Sequence, residues 1–573
     1  MKLTLLLLAS GALATALSAA SPNDAAPTLM RDRIERYSTD LATLQRSEPL
    51  ELSERRTQRL RRFFEDELHA VDGVDFAALG PDERIDDLLF RNQLRFELRE
   101  LEYEQKKVAE VSELIPFSPA IVQLEEARRR MEPVQAERSA KVLTDISGQI
   151  SQTRTNLEQQ LKAGKAPGKV AASRAARLVE TLRAGLKRWH GFYAEYDPAF
   201  TWWAGQPFQK ADKELQDYAS FLRKKLAGAD EGEDEPVIGD PIGRAALLNA
   251  LQYEMIPYTP EELIDIANQE FAWCEKEQRR AANDLGFGDD WRKALEHVSA
   301  LHVPPGEQPA LIKRLADEAV KFVEDRDLVT VPALCQESWR MEMMTPERQK
   351  VNPYFTGGEV ISVSYPTATM SYEDKLMSMR GNNIHFSRAT MQHELIPGHH
   401  LQIFMAARHR PYRKAFRTPF LIEGWALYWE MLLWDLKFPQ SPEDRVGMLF
   451  WRSHRCARII FSLKFHLGQM TAPEAIDFLV ERVGHERRNA TAEVRRSVAG
   501  DYSPLYQAAY MLGGLQLRAL RRELVDSGKM KDREFHDAIL KENAIPIDLI
   551  RARLMQQPLA RDYTPRWRFY ETR

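Results

Sequence analysis

The sequence predicts a mainly α-helical protein with one small β-strand or hairpin element. Long stretches repeat apolar residues three and four positions apart, as in residues 84–104, RIDDLLFRNQLRFELRELEYE, which is the period of an amphipathic helix. Short segments rich in glycine and proline separate these stretches. One segment breaks the pattern, because residues 357–366, GGEVISVSYP, are β-branched, begin with glycines and end with proline. We predict a strand there.

The size and composition exclude several classes of protein. The chain has 573 residues, of which 44% are hydrophobic, so it can bury a sizeable core and is neither disordered nor fibrous. A formal net charge of −4 provides no general positive field for nucleic acid, which we exclude as a partner. Three cysteines form neither a disulfide framework nor the paired spacing of a cysteine zinc site.

Residues 1–20, MKLTLLLLASGALATALSAA, are typical of a secretory signal peptide, with cleavage expected after Ala20. The alternative is an uncleaved N-terminal anchor. No cysteine lies near the end of this segment, which argues against a lipoprotein anchor, and no later stretch approaches a membrane span. We therefore expect a periplasmic or secreted protein with no stable membrane span after cleavage.

The remaining chain divides into two helical regions. Residues 21–226 form the predicted N-terminal helical region, with a helix connection at residues 163–168, AGKAPG. Residues 227–241, AGADEGEDEPVIGDP, are predicted to be an exposed acidic linker. Residues 242–573 form the predicted catalytic region. An early helix in it should begin at Thr259, because Pro260 and two acidic residues follow in the first turn.

Three histidines fall within residues 391–402, MQHELIPGHHLQ. The segment begins like a zinc peptidase helix, in which histidines bind the ion and Glu394 acts on its water. On a continuous helix His400 would face His393, because seven residues return to within about 20°. Pro397 breaks the hydrogen-bond ladder, however, and a bulge that absorbs two residues would bring His399 into place instead. We favour His399 and keep His400 as the alternative ligand.

A third metal ligand is predicted in residues 420–436, FLIEGWALYWEMLLWDL, a helix that is apolar on nearly every face. It carries Glu423 and Glu430 on one face, and a buried carboxylate is costly unless a cation or hydrogen bonds compensate it. Glu423 is the candidate ligand. Arg455, on a later apolar helix, could bind the terminal carboxylate of a peptide or pair with Glu430.

Four segments, HELIPGHH, EGWALYWE, YMLGG and FHDAIL, together resemble the family of domain of unknown function 885 (DUF885). That family is grouped with the gluzincin metallopeptidases and is similar in plan to the thimet oligopeptidase and carboxypeptidase Taq enzymes. The resemblance spans residues 30–570 and implies a large multi-helix zincin-like fold, with the small β element beside the active-site cleft. It also implies one zinc ion on His393, His399 and Glu423, with Glu394 as general base.

The same resemblance places Tyr510 at the tyrosine of a tyrosine-x-x-glycine motif. We propose Tyr510 as the donor to the oxyanion, with Tyr506 behind it, although both could equally be core aromatic residues. His466 also matches a family position. It is a candidate for substrate binding or for supporting the metal ligands, together with Glu430 and Arg455, and could instead be a core histidine.

The first functional hypothesis is an exported zinc peptidase that cleaves short peptides with a metal-activated water and Glu394 as base. A metal-dependent hydrolase of non-peptide amides or esters is one alternative. A peptide-binding envelope protein without catalysis is another. The sequence does not decide between cleavage inside a peptide and cleavage at its ends.

Overall fold

The computed structural model describes residues 29–229, 236–351, 355–500 and 502–570. The predicted signal peptide, residues 1–20, lies outside the described residues. Within them the chain is mainly helical and has one small two-stranded sheet, which confirms the predicted fold class. No helix in these ranges is long and apolar enough to cross a membrane.

The described part of the N-terminal region contains seven α-helices with the predicted amphipathic pattern. They are α1 (Leu29–Ser47), α2 (Glu54–Asp72), α3 (Pro81–Ala109), α4 (Ser118–Arg129), α5 (Ala136–Lys162), α6 (Lys169–Tyr193) and α7 (Pro198–Phe221). The connection expected at residues 163–168 is confirmed, since α5 ends at Lys162 and α6 begins at Lys169. Helices α4 to α7 enclose their own apolar core, which includes Trp189 and Tyr218.

The segment predicted to be an exposed acidic linker is packed against the protein where the structure describes it. Val237 is buried, and Asp240 accepts hydrogen bonds from Arg174 at 2.6 Å and from Lys107 at 3.1 Å. The expectation of exposure was therefore wrong for these residues. Arg174 of α6 and Lys107 of α3 compensate the negative charge of Asp240. The sequence could not predict this, because the three residues are distant along the chain. The division into domains itself stays a prediction.

The second region contains most of the helices. They are α8 (Gly243–Tyr253), α9 (Pro260–Asp284), α10 (Trp291–Ser299), α11 (Gln308–Asp325), α12 (Ala333–Ser338), α13 (Pro346–Val351), α14 (Tyr372–Gly381), α15 (Ile384–Glu394), α16 (His399–Ala406), α17 (Pro419–Asp435), α18 (Pro442–His466), α19 (Ala472–Val483), α20 (Arg487–Val498), α21 (Tyr506–Arg521), α22 (Asp532–Lys541) and α23 (Ile547–Leu554). The predicted start of α9 is confirmed, because Thr259 caps it in a reciprocal capping box with Glu262.

The small sheet pairs β1 (Arg340–Met343) with β2 (Val360–Val363) in parallel. The strand predicted in residues 357–366 is therefore confirmed in its centre and is shorter than expected. Strands β1 and β2 do not form a hairpin with each other, since parallel strands need a crossover connection, and here α13 lies in it. One antiparallel bridge joins Thr356 to Ser362, so the chain does turn back on itself where it enters β2. Strand β1 was not predicted, because its sequence, RMEM, is short and weakly patterned.

Helices α17 and α21 lie at the centre of the second region, with α15, α16 and α18 around them. Trp425 and Trp429 of α17 are fully buried, and apolar clusters on two sides include residues of this helix. This double packing explains why α17 is apolar on nearly every face. It also means that the two glutamates within this helix, Glu423 and Glu430, lie deep in the protein.

Candidate metal centre

The histidine motif is divided between two helices. Helix α15 ends at Glu394 and α16 begins at His399, so Pro397 interrupts the backbone more completely than the expected bulge. The indole nitrogen of Trp425 donates a hydrogen bond of 2.8 Å to the Pro397 carbonyl and holds the turn. A Cβ at Gly398 would lie 1.9 Å from the carbonyl oxygen of His393, so only glycine fits there.

This break brings His393, His399 and Glu423 together. The Nε2 atoms of His399 and His393 lie 3.2 Å and 3.7 Å from Oε2 of Glu423. The two imidazole rings stand at 89° to each other with centroids 4.8 Å apart. His400 does not join the cluster, because its Nε2 lies 2.8 Å from the backbone carbonyl of Cys335.

The arrangement fits a zinc ion on two tests. Zinc bonds of about 2.0–2.2 Å in tetrahedral geometry separate the ligand atoms by roughly 3.3–3.6 Å, and the two nitrogen–oxygen distances, 3.2 Å and 3.7 Å, lie within about 0.1 Å of this range. The second test is hydrogen bonding: Oε2 of Glu423 is buried and has no hydrogen-bond partner among the described residues. A buried carboxylate oxygen without a donor needs a cation or a proton nearby.

Three further side chains surround the cluster and contact its members or each other. Oε1 of Glu430 lies 2.7 Å from Nδ1 of His393, a contact that turns Nε2 of that ring towards Glu423. The guanidinium of Arg455 lies 3.6 Å from the same Glu430 oxygen, so Arg455 contacts the supporting acid. Tyr506 donates a hydrogen bond to Oε1 of Glu423. Each candidate ligand on α15 and α17 is thus oriented by a second contact.

The electrostatics of the cluster favour positive charge. Burial opposes protonation of His393, but its contacts with Glu423 and Glu430 outweigh burial and raise its pKa to about 9. Burial likewise opposes ionisation of Glu423, yet His399 and His393 hold the pKa of that carboxyl well below its ordinary value. Buried carboxylates that attract a positive charge are the electrostatic requirement of a cation site.

Glu394 follows His393 directly and lies under the loop before β2. Burial raises the pKa of Glu394, while the neighbouring His393 and His399 act in the opposite direction. A Cβ on Gly357 would lie 2.3 Å from Oε2 of Glu394, so this loop approaches the carboxylate more closely than any other residue type would allow. The small β element therefore lies beside Glu394.

The two predicted tyrosines have different environments. The ring of Tyr510 is parallel to that of His393, at 13° with centroids 6.1 Å apart, and its hydroxyl makes no hydrogen bond with the described residues. The guanidinium of Arg458 lies 4.5 Å from the Tyr510 ring centre. Tyr506 instead uses its hydroxyl on Glu423, so it contacts a candidate metal ligand directly.

A glycine contact that the sequence analysis did not identify sets the position of both tyrosines. Helices α17 and α21 cross at Gly424 and Gly513, where a Cβ on Gly424 would lie 2.5 Å from the Cα of Gly513. This crossing places the tyrosine end of α21 against Glu423. The signal was present in the EGW and LGG segments, since glycines within helices mark close helix approach.

Two other histidines lie outside the cluster. His466 ends α18, eleven residues and therefore about 16 Å along the helix from Arg455, and lines a cavity beside Lys107 and Asp240. Its ring nitrogens have no hydrogen-bond partner among the described residues. His536 is a core residue, with ring nitrogens 2.7 Å from the Tyr428 hydroxyl and 2.7 Å from the Leu328 carbonyl.

Comparison with known proteins gives a family and a fold. The family model described as "Bacterial protein of unknown function (DUF885)" matches residues 40–554. No curated protein matches the chain. A structure from Shewanella oneidensis, described as "a putative lipoprotein of unknown function", is similar with a TM-score of 0.68 at 16% identity, covering 93% of this chain and 100% of its own.

A second similar structure comes from Colwellia psychrerythraea and is described as a "putative lipoprotein". Its TM-score is 0.57 at 14% identity, and the match covers 92% of this chain and 98% of the other. At these identities the likeness shows the fold alone.

Proposed function

The chain belongs to the DUF885 family of bacterial proteins, and we propose that it is a zinc-dependent peptidase that hydrolyses short peptides. The observation that carries this proposal is the convergence of His393, His399 and Glu423: the buried Oε2 of Glu423 faces both ring nitrogens and makes no well-aligned hydrogen bond with the described residues. Two histidines and a glutamate are a known donor set of catalytic zinc. The resemblance to gluzincin metallopeptidases is part of the same proposal.

In this proposal His393, His399 and Glu423 hold the ion. When bound, zinc would lower the pKa of a water molecule and polarise a carbonyl group. Glu394 accepts the proton of the attacking water and delivers it to the nitrogen of the leaving amine. Tyr510, whose hydroxyl is uncommitted, donates a hydrogen bond to the carbonyl oxygen of the substrate as negative charge develops on it.

The remaining residues orient the reacting groups. Glu430 orients the ring of His393, and the guanidinium of Arg455 contacts the same Glu430 oxygen. Tyr506 fixes one carboxylate oxygen of Glu423, which leaves the other for the ion. Gly357 leaves room for the Glu394 carboxylate beside the loop before β2.

An exported location accompanies the proposed activity. Residues 1–20 have the composition of a secretory signal. The two similar structures are described as putative lipoproteins, which supports an exported location for this fold. A peptidase outside the cytoplasm would act on peptides in the periplasm or the medium.

The proposal is tested on the purified full chain by elemental analysis and by cleavage of a mixed library of short peptides, with and without chelator. We expect about one zinc per chain and chelator-sensitive cleavage that added zinc restores. Protein that lacks metal and cleaves equally well in chelator contradicts the proposal. Turnover of amides or esters without peptide cleavage would favour the broader hydrolase, and tight peptide binding without turnover would favour a non-catalytic binder.

The role of Glu394 has its own test. Glu394→Gln should keep zinc while peptide turnover falls by about 10² to 10⁴, the typical contribution of a general base. The matched control is Glu359→Gln, which removes an exposed carboxylate at the start of the neighbouring strand segment and should leave turnover unchanged. Loss of zinc in Glu394→Gln would make Glu394 a ligand rather than the base.

A further inference from the structure

A second cavity, away from the metal centre, lies where three parts of the chain meet. It has a volume of about 520 Å³ and is lined by one face of α3, by α8 and the turn into α9, and by the C-terminal residues 561–568. This volume lies in the usual range of pockets for small molecules, roughly 300–1,000 Å³. None of the candidate metal ligands lines it.

The lining of this cavity is strongly basic. Its charged residues are five arginines and one glutamate, namely Arg91, Arg95, Arg99, Arg561, Arg568 and Glu262. The α3 arginines are spaced four residues apart and therefore share a helix face. The surplus of guanidinium groups gives the cavity a positive potential.

Three of the arginines are neutralised by carboxylates. Arg91 donates to Asp87 at 2.6 Å, and Arg568 donates to Glu262 at 2.6 Å. Arg561 donates to Asp72 at 3.2 Å. The charges of these three groups are therefore accounted for by neighbouring acids.

The other two arginines have no carboxylate partner. Arg99 donates only to neutral amide oxygens, of Asn249 at 2.9 Å and of Gln252 at 2.7 Å. These contacts hold the guanidinium in place and leave its charge uncompensated. Arg95, one helical turn away and exposed, makes no hydrogen bond or close ion pair with the described residues; it attracts Asp72 only at longer range, and that carboxylate is already paired with Arg91 and Arg561. Two uncompensated guanidiniums one turn apart suit an oxyanion, which accepts from both.

The rest of the wall is partly aromatic. Phe96 stacks on Tyr253 with ring centroids 4.2 Å apart, and Tyr258 lies under the guanidinium of Arg568 at 3.9 Å. Such faces pack against the apolar body of an organic molecule. We propose that this cavity binds a small organic anion, whose phosphate or carboxylate group is held by Arg95 and Arg99 and whose body packs against the aromatic wall.

A ligand here would join segments that are far apart in sequence. Since it binds the folded protein, it should raise the melting temperature as its concentration rises through Kd. The site does not depend on the metal centre. Its test can therefore use protein stripped of divalent metal, which also excludes binding of the probe to zinc.

The probes are inorganic phosphate, phenyl phosphate and benzoate, compared by thermal unfolding of the full chain at constant ionic strength set with NaCl. We expect a saturable rise in melting temperature, larger for phenyl phosphate than for inorganic phosphate because of the aromatic wall. The comparison of phenyl phosphate with benzoate identifies the preferred oxyanion. No rise above that in NaCl with any of the three probes would overturn the proposal.

Variants assign the effect to the cavity. Arg95→Ala, alone and together with Arg99→Ala, should weaken probe binding by about tenfold or more, measured by calorimetry. Arg95 is exposed and makes no hydrogen bond, so its removal should not disturb the fold. The matched control, Arg154→Ala, removes an exposed arginine paired with Glu158 on α5 and should bind as the wild type does. Unchanged binding in the double variant would overturn the proposal.

Discussion

Gly513 lies directly against Gly424 where α21 crosses α17, and a Cβ on Gly513 would lie 1.9 Å from the carbonyl oxygen of Phe420. The two helices therefore approach backbone to backbone at this point. Because Glu423 is adjacent to one glycine and the tyrosines precede the other, the crossing determines whether Tyr506 reaches Glu423. Two glycines thus control the geometry of the candidate metal centre.

The first prediction concerns this crossing. Gly513→Ala should separate the helices, lower the free energy of unfolding by about 1–3 kcal/mol as overpacked substitutions do, and weaken zinc binding. The control is Gly148→Ala in α5, where a Cβ meets nothing within 4 Å. That variant should stabilise the protein by about 0.5–1 kcal/mol through helix propensity. Denaturant unfolding measures both, and a neutral Gly513→Ala would refute the role of the contact.

The second prediction separates the two adjacent histidines. His399→Ala should lose zinc, measured by elemental analysis after dialysis, because it removes a ring beside Glu423. His400→Ala should retain zinc, since that ring contacts the Cys335 carbonyl. It should lower the free energy of unfolding by about 1–3 kcal/mol, because it leaves a cavity and an unpaired carbonyl. The reverse pattern of metal loss would make His400 the ligand.

The third prediction concerns the acid behind His393. Glu430→Gln should reduce zinc affinity about 10–100-fold, as the loss of a partner behind a ligating histidine typically does. Competition with a chromophoric chelator measures the affinity. Glu493→Gln is the matched control, because Glu493 is also a buried acid paired with an arginine of α18, Arg458 at 2.7 Å. We expect it to affect stability and leave zinc affinity of the folded protein nearly unchanged. Equal affinities in both variants would contradict the supporting role.

The fourth prediction is a pH dependence of stability. Burial raises the pKa of Glu254 to about 8, although its hydrogen bond from Thr418, the cap of α17, acts against this shift. The folded state therefore retains a proton that the unfolded state releases above its ordinary pKa of about 4.5. This contribution to stability is complete below pH 4.5 and is lost as pH rises through 8, by at most about 1.4 kcal/mol per pH unit.

Denaturant unfolding at several pH values tests this sign. Glu254→Gln should flatten the loss of stability between about pH 4.5 and 8, because the amide has no proton to release. Glu261→Gln is the control, since an exposed arginine partner lowers the pKa of Glu261 and moves its effect to acid pH. Parallel curves for the wild type and Glu254→Gln would show that Glu254 is ionised in the folded protein.

Local sequence chemistry accounts for much of the fold. The capped start of α9 at Thr259 and the connection between α5 and α6 depend on neighbours within a few residues, so pattern and capping rules identify them. These local rules could not predict that β2 pairs in parallel with another strand. Its partner, β1, begins at Arg340, and nothing in either short segment specifies the other.

The sequence by itself determined the mainly helical class, the family resemblance, and the residue types of the candidate site, since these depend on periodicity and on motifs of a few residues. Only the tertiary structure decided that His399 rather than His400 meets His393 and Glu423, because the turn at Pro397 is held by Trp425 of a different helix. It likewise placed Tyr506 on Glu423 through the glycine crossing. Such contacts join residues distant in sequence, and packing fixes them to within a few tenths of an ångström.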